Sequence, residues 1–164
     1  MDLPNRKYPR LKQYDYSLPG YYYVTIHLQS DNDRLSTVGW GLAPAEAQVE
    51  LMPAGEIVQA QLLVLRERYP NVRIDKYVIM PNHIHAIIQL LPAVGASPHP
   101  TLMQIVGAYK SLTTRRLNAA FGSPGKKWFQ TSFFETVLRN EKAYQACWKY
   151  IDENPLKMIL GYHR

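Results

Sequence analysis

Two alternating runs joined by a tight turn constrain this chain more than any other feature. Val72 to Met80 sets Val72, Ile74, Lys76 and Val78 against Arg73, Asp75, Tyr77 and Ile79. His83 to Leu91 is a second run, and Pro81-Asn82 between them is a turn pair. Side chains alternate across a strand, so residues 72–91 read as a β-hairpin.

The other elements fall around that hairpin. Tyr21 to Gln29 is aromatic and β-branched, bounded by Pro19-Gly20 and Asp31-Asn32-Asp33, and predicts a strand. Residues 34–52 carry short apolar pieces broken by Gly39, Gly41 and Pro44, which suits a small hairpin or loop excursion. Pro53 to Tyr69 places Ile57, Ala60, Gln61 and Val64 at helical spacing, continued by Leu65 and Arg68. Residues 92–100 form a loop. A helix follows over 101–118, with Thr101 as its N-cap and Leu102, Ile105, Val106, Tyr109 and Leu112 on one face. Phe133 to Arg139 alternates again. Asn140 caps a last helix from Glu141 to about Glu153, which Asn154-Pro155 is expected to end because the residue before proline avoids helical geometry. On that helix Tyr144, Trp148 and Ile151 make the larger apolar stripe, the expected core contact.

The order is βαββαβ plus a C-terminal helix. It predicts an α+β, ferredoxin-like antiparallel sandwich with two helices on one face. With 164 residues the chain reads as a single domain, 1–164, in which residues 1–20 form an extended basic arm. Hydrophobic residues make up 46% and charged residues 20%, the balance of a soluble globular protein. No apolar run approaches the roughly 20 residues of a membrane helix, and the N-terminus does not read as a secretory signal. The single cysteine, Cys147, cannot close an intramolecular disulfide, so a reducing compartment, the cytoplasm, is expected.

The net charge of +6 favours a polyanionic partner. Basic residues cluster at Arg6, Lys7, Arg10 and Lys12 and again at Lys110, Arg115, Arg116, Lys126 and Lys127. Tyr109 and Trp128 lie near the second cluster, and cations mixed with aromatics suit a single nucleic-acid strand. Arg10, Lys12, Tyr109, Lys110, Arg115, Arg116 and Trp128 are therefore the candidate nucleic-acid contacts, against the plainer reading of a solvated helix face.

The candidate chemistry starts from His83-Ile84-His85. Residues i and i+2 of a strand share a face, so both imidazoles project together while Ile84 enters the other face. That is half of a divalent-metal site, or equally two ordinary strand histidines. A helical metalloprotease pattern and a cysteine cluster are both absent from the sequence. On the last helix, Tyr150 and Asn154 are four residues apart and face the same way. Spacing alone also allows a boundary aromatic and a helix-ending residue, among twelve tyrosines.

The run Tyr77-Val-Ile-Met-Pro-Asn-His-Ile-His85 resembles the HUH segment of single-tyrosine transposases. Tyr109 to Arg116, Phe133 to Glu135, Leu138 to Glu141, and Tyr150-Ile-Asp-Glu-Asn-Pro155 also match, so the resemblance covers about residues 11–157. The branch it is most similar to is the REP-associated tyrosine transposases, which process palindromic hairpins in bacterial genomes. The resemblance implies that His83 and His85 bind a divalent cation, Mg²⁺ or Mn²⁺, completed by Asn154. It implies Tyr150 as nucleophile, forming a 5′-phosphotyrosine on single-stranded or hairpin DNA and leaving a free 3′-hydroxyl. A free tyrosine has a pKa of about 10, so activation is needed, with Lys149 and Lys157 as candidates. The implied setting is the bacterial nucleoid, with a homodimer as an open arrangement. The alternative is a non-catalytic or domesticated single-stranded nucleic-acid-binding protein on the same fold.

Overall fold

A computed structural model describes residues 10–43, 45–92, 95 and 99–161. Residues 1–9 of the expected basic arm, with Arg6 and Lys7, lie outside the described residues, as does most of the 92–100 loop. The elements run β1 (Gly20–His27), β2 (Ser36–Trp40), β3 (Ala47–Leu51), α1 (Pro53–Leu63), α2 (Leu65–Arg68), β4 (Val72–Ile79), β5 (His83–Leu90), α3 (Leu102–Phe121), β6 (Phe134–Leu138) and α4 (Glu141–Ile159).

The main sheet is antiparallel, in the order β4-β5-β1-β6. With the β2–β3 hairpin set aside, this is the strand order of a ferredoxin-like βαββαβ unit, as the sequence predicts. One sheet face packs on α1 and α3. Tyr22, Val24 and Ile26 of β1 and Ile84, Ala86 and Ile88 of β5 meet Val58, Leu62, Ile105, Val106, Tyr109 and Leu117 there. The opposite face packs on α4, where Tyr23, Ile87 and Leu138 meet Cys147 and Ile151. Ile84 is fully buried on the first face while its neighbours turn to the second, so the i, i+2 reading of the histidines holds in space. Burying one such side chain contributes roughly 1.5–3 kcal/mol, which fixes the register of β5.

Several boundaries differ from expectation. The helix after Pro53 breaks at Val64, whose φ and ψ of −91° and 2° leave the helical region and start the short α2. The alternation along β4 reverses, because the pairing with β5 is irregular between Ile74 and Lys76. The reversal brings Val78 to the α4 side and Ile79 to the α1–α3 core. Residues 10–19 are not a free arm: Tyr16 is buried, and its carbonyl accepts from Leu102 N (2.9 Å). The expected Thr101 cap is present, as a capping box in which Thr101 Oγ1 accepts from Gln104 N (3.2 Å) and Gln104 Oε1 from Thr101 N (2.9 Å). Asn140 caps α4 by accepting from Ala143 N (2.8 Å).

Two corrections concern α4. It does not end at Asn154 but runs through Pro155 to Ile159. Proline removes one backbone donor from a helix interior. Here its ring is buried, and Glu153 pairs with Lys149 behind it (3.6 Å) and Lys157 ahead of it (3.5 Å). Its buried stripe is Cys147, Ile151 and Pro155. Trp148 is not core: it is 37% exposed, with the Lys76 ammonium 3.9 Å from its ring centroid. Among the described residues, no helix is long and apolar enough to cross a membrane.

Candidate active site

The site is built on the α4 face of the sheet by strand register. β1 pairs with β5 so that Thr25 lies opposite His85 and His27 opposite His83. Alternation then puts Tyr23, Thr25 and His27 on the same face as both histidines. The two imidazoles point at each other, Nε2 to Nε2 at 3.0 Å. Their outer nitrogens are held. His83 Nδ1 donates to Asn82 Oδ1 (2.6 Å), an acceptor supplied by the Pro81-Asn82 turn. His85 Nδ1 meets Tyr23 Oη (2.7 Å) and Thr25 Oγ1 (3.0 Å).

Burial keeps the imidazoles neutral. It pushes His83 down to about 4, with the nearby His27 adding to the effect. It lowers His85 well below the ordinary value, helped by His83 and His27. Burial also lowers His27 itself. Neutral imidazole is the form that binds a metal. Burial raises the Tyr23 phenol, so Tyr23 stays a hydroxyl whose oxygen can accept from His85 Nδ1–H and leave Nε2 free to ligate.

Tyr150 comes to the same place from α4. Its ring centroid lies 5.6 Å from that of His85 and 6.4 Å from that of Tyr23, both edge-on, within one chain. Tyr150 is half-buried, whereas Tyr23 is only 1% exposed. Asn154, also half-buried, follows one helical turn later on α4. Lys157 Nζ sits 5.3 Å from the Tyr150 ring centroid. Lys149 is exposed and pairs with Glu153.

The arrangement suits a hard divalent cation. Ligands held at about 2.1 Å and at right angles, as in an octahedral Mg²⁺ site, stand about 3.0 Å apart. That is the separation of the two Nε2 atoms. Each outer nitrogen carries the kind of partner that orients a ligating histidine. Among the described residues, no three His, Cys, Asp or Glu side chains gather as a complete metal site. An amide oxygen, such as that of Asn154 one helical turn after Tyr150, could add to such a set.

The expected DNA contacts divide. Arg115 and Arg116 are exposed on α3, across the sheet from the histidines, and Lys12 is exposed. Arg10 NH1 donates to the Phe133 carbonyl (2.7 Å), and Lys110 Nζ to those of Gln130 (2.7 Å) and Thr131 (3.0 Å). Tyr109 and Trp128 are corrected. Tyr109 is 2% exposed and donates its hydroxyl to the Val58 carbonyl (3.0 Å). Trp128 is 4% exposed and donates to Asn118 Oδ1 (2.8 Å). Both fill core volume and offer no ring for base stacking. The sequence reading missed Tyr23, Thr25 and His27. Their i, i+2, i+4 spacing in Tyr21 to Gln29 was visible, but nothing in it names the partner strand.

Comparison with known proteins agrees with this architecture. The sequence profile described as IS200-like transposase matches residues 61–154, more than half of the chain, and the chain belongs to that family. Transposases of this kind are DNA-cleaving enzymes, so DNA is the partner. A Haemophilus influenzae protein described only as uncharacterized is 28% identical over 171 residues, 93% of this chain and 89% of the relative. A REP-associated tyrosine transposase, solved bound to a REP hairpin, superposes with a TM-score of 0.61 at 20% identity, covering 94% of this chain and 75% of that one. A Deinococcus radiodurans crystal structure assigned as a transposase gives 0.51 at 17% identity, covering 89% and 96%. At these identities the two structures speak to the fold.

Proposed function

We propose that this transposase cleaves and rejoins single-stranded hairpin DNA through a 5′-phosphotyrosine on Tyr150. The supporting observation is the placement of the Tyr150 ring 5.6 Å from His85, beside two imidazoles whose Nε2 atoms converge to 3.0 Å. The solved neighbour bound to a REP hairpin supports the substrate class.

His83, His85 and Asn154 would hold Mg²⁺ or Mn²⁺. A bound divalent cation supplies Lewis acidity at the scissile phosphate and fixes its position. Tyr150 Oη attacks phosphorus and the bond from phosphorus to the 3′-oxygen breaks. The phenol proton is lost, and the departing 3′-oxygen gains one. The phosphotyrosine ester conserves the bond energy, so a 3′-hydroxyl can later reverse the step without ATP. Lys157, with its Nζ 5.3 Å from the ring centroid, is the cation that this reading assigns to assist the attacking phenol. Tyr23 and Thr25 hold His85 in orientation.

The test is incubation with hairpin DNA carrying single-stranded flanks, with Mg²⁺ or Mn²⁺, read on a denaturing gel. A covalent protein–DNA band is expected, and Tyr150→Phe should remove it. A Tyr150→Phe protein that still forms the band sinks the nucleophile assignment. No cleavage with either metal favours a binding protein on this fold.

A further inference from the structure

Phe134 is 55% exposed, on the sheet face that carries the histidines. It opens β6 and pairs with Thr25, which pairs in turn with His85, so the three form one row across the sheet. Its ring makes an edge contact with His27, centroids 5.9 Å apart. Two strand spacings of about 4.8 Å separate Phe134 from His85. A base next to a phosphate held at the histidines can cover that distance.

An exposed apolar residue alone needs no explanation. This one stands at the end of a pinned segment. Arg10 donates to the Phe133 carbonyl, and its guanidinium lies 4.0 Å from the Phe133 ring centroid. Lys110 ties the carbonyls of Gln130 and Thr131, and Gln130 N donates to the His27 carbonyl (2.9 Å). The segment leading to Phe134 is thus held by two cations and by β1. A fixed, exposed ring in one row with His85 offers a single strand a stacking face that does not read its sequence.

We propose that Phe134, with His27 at its edge, is the stacking platform for a base flanking the scissile phosphate of single-stranded DNA. The proposal rests on the single-strand chemistry assigned above. It gives Arg10 and Lys110 a role as positioning residues for the platform.

Binding is measured by fluorescence anisotropy with the full chain carrying Tyr150→Phe, so that nothing is cut. The probes are fluorescein-labelled oligothymidylate and a labelled hairpin with single-stranded flanks. Phe134→Ala should weaken oligothymidylate binding roughly tenfold, and Phe134→Trp should restore it. Circular dichroism confirms that each variant is folded, and Phe134→Leu separates stacking from apolar bulk. Affinity of Phe134→Ala within about twofold of the parent, or full restoration by Phe134→Leu, overturns the proposal. Adduct formation is read in parallel in the Tyr150 parent. An adduct with no Phe134 dependence of binding defeats this inference alone. Phe134-dependent binding with no adduct defeats the cleavage chemistry alone. A folded chain that binds neither probe overturns both.

Discussion

The histidines show how far a residue pattern reaches and where it stops. Their common direction was legible, since alternation on a strand fixes it. The residues that make them a poised pair were not, because Tyr23, Thr25 and His27 arrive through the register of β1 on β5. Tyr23 is the most informative of these to alter. Tyr23→Phe keeps the ring and removes the hydroxyl 2.7 Å from His85 Nδ1. Loss of such an orienting partner typically costs 10- to 100-fold in metal affinity, and with Thr25 still in place about tenfold is expected. A Mn²⁺ titration followed by electron paramagnetic resonance measures it, and an unchanged affinity would remove Tyr23 from the site. Tyr109 carries the opposite lesson. Its helical spacing with Leu102, Ile105 and Val106 already put it on the apolar face of α3, and burial prevailed over the cationic neighbourhood that suggested stacking.

At the scale of elements, sequence signals were reliable where a local rule acts and failed where packing overrides it. Thr101 and Asn140 cap their helices because a side-chain oxygen satisfies backbone donors within the same turn. Thr101→Ala should accordingly cost about 1 kcal/mol in urea denaturation, whereas a change below a few tenths would mean that packing alone holds the end of α3. Asn154-Pro155 was read as a stop, yet α4 continues, because the buried Pro155 ring packs in place of the lost hydrogen bond. The extra turn carries Lys157 to the Tyr150 ring, so the override has a consequence for the site. Gly55 shows another packing constraint. A Cβ there would lie 1.9 Å from the Leu35 carbonyl oxygen, where α1 meets the segment entering β2. Gly55→Ala should destabilise the protein by about 1–3 kcal/mol through overpacking, measured by urea denaturation. A neutral outcome would mean that α1 can slide.

At the scale of the molecule, the sheet divides the work. One face, under α1 and α3, supplies most of the core. The other combines a smaller core with the histidine row and Tyr150. The strand order was legible in the sequence as alternating runs and turns. The side taken by α4 was not, because an amphipathic helix does not say which face of a sheet it covers. With α4 docked on its own sheet, Tyr150 and the histidines share one chain. Mixing Tyr150→Phe protein with His83→Ala protein should therefore restore no cleavage, whereas cleavage in the mixture would mean that two chains share the site. The most direct measurement is mass spectrometry of the protease-digested protein–DNA adduct. The nucleotide should be found on the α4 peptide, at Tyr150. Attachment to any other of the twelve tyrosines, Tyr23 beside His85 included, would contradict the assignment.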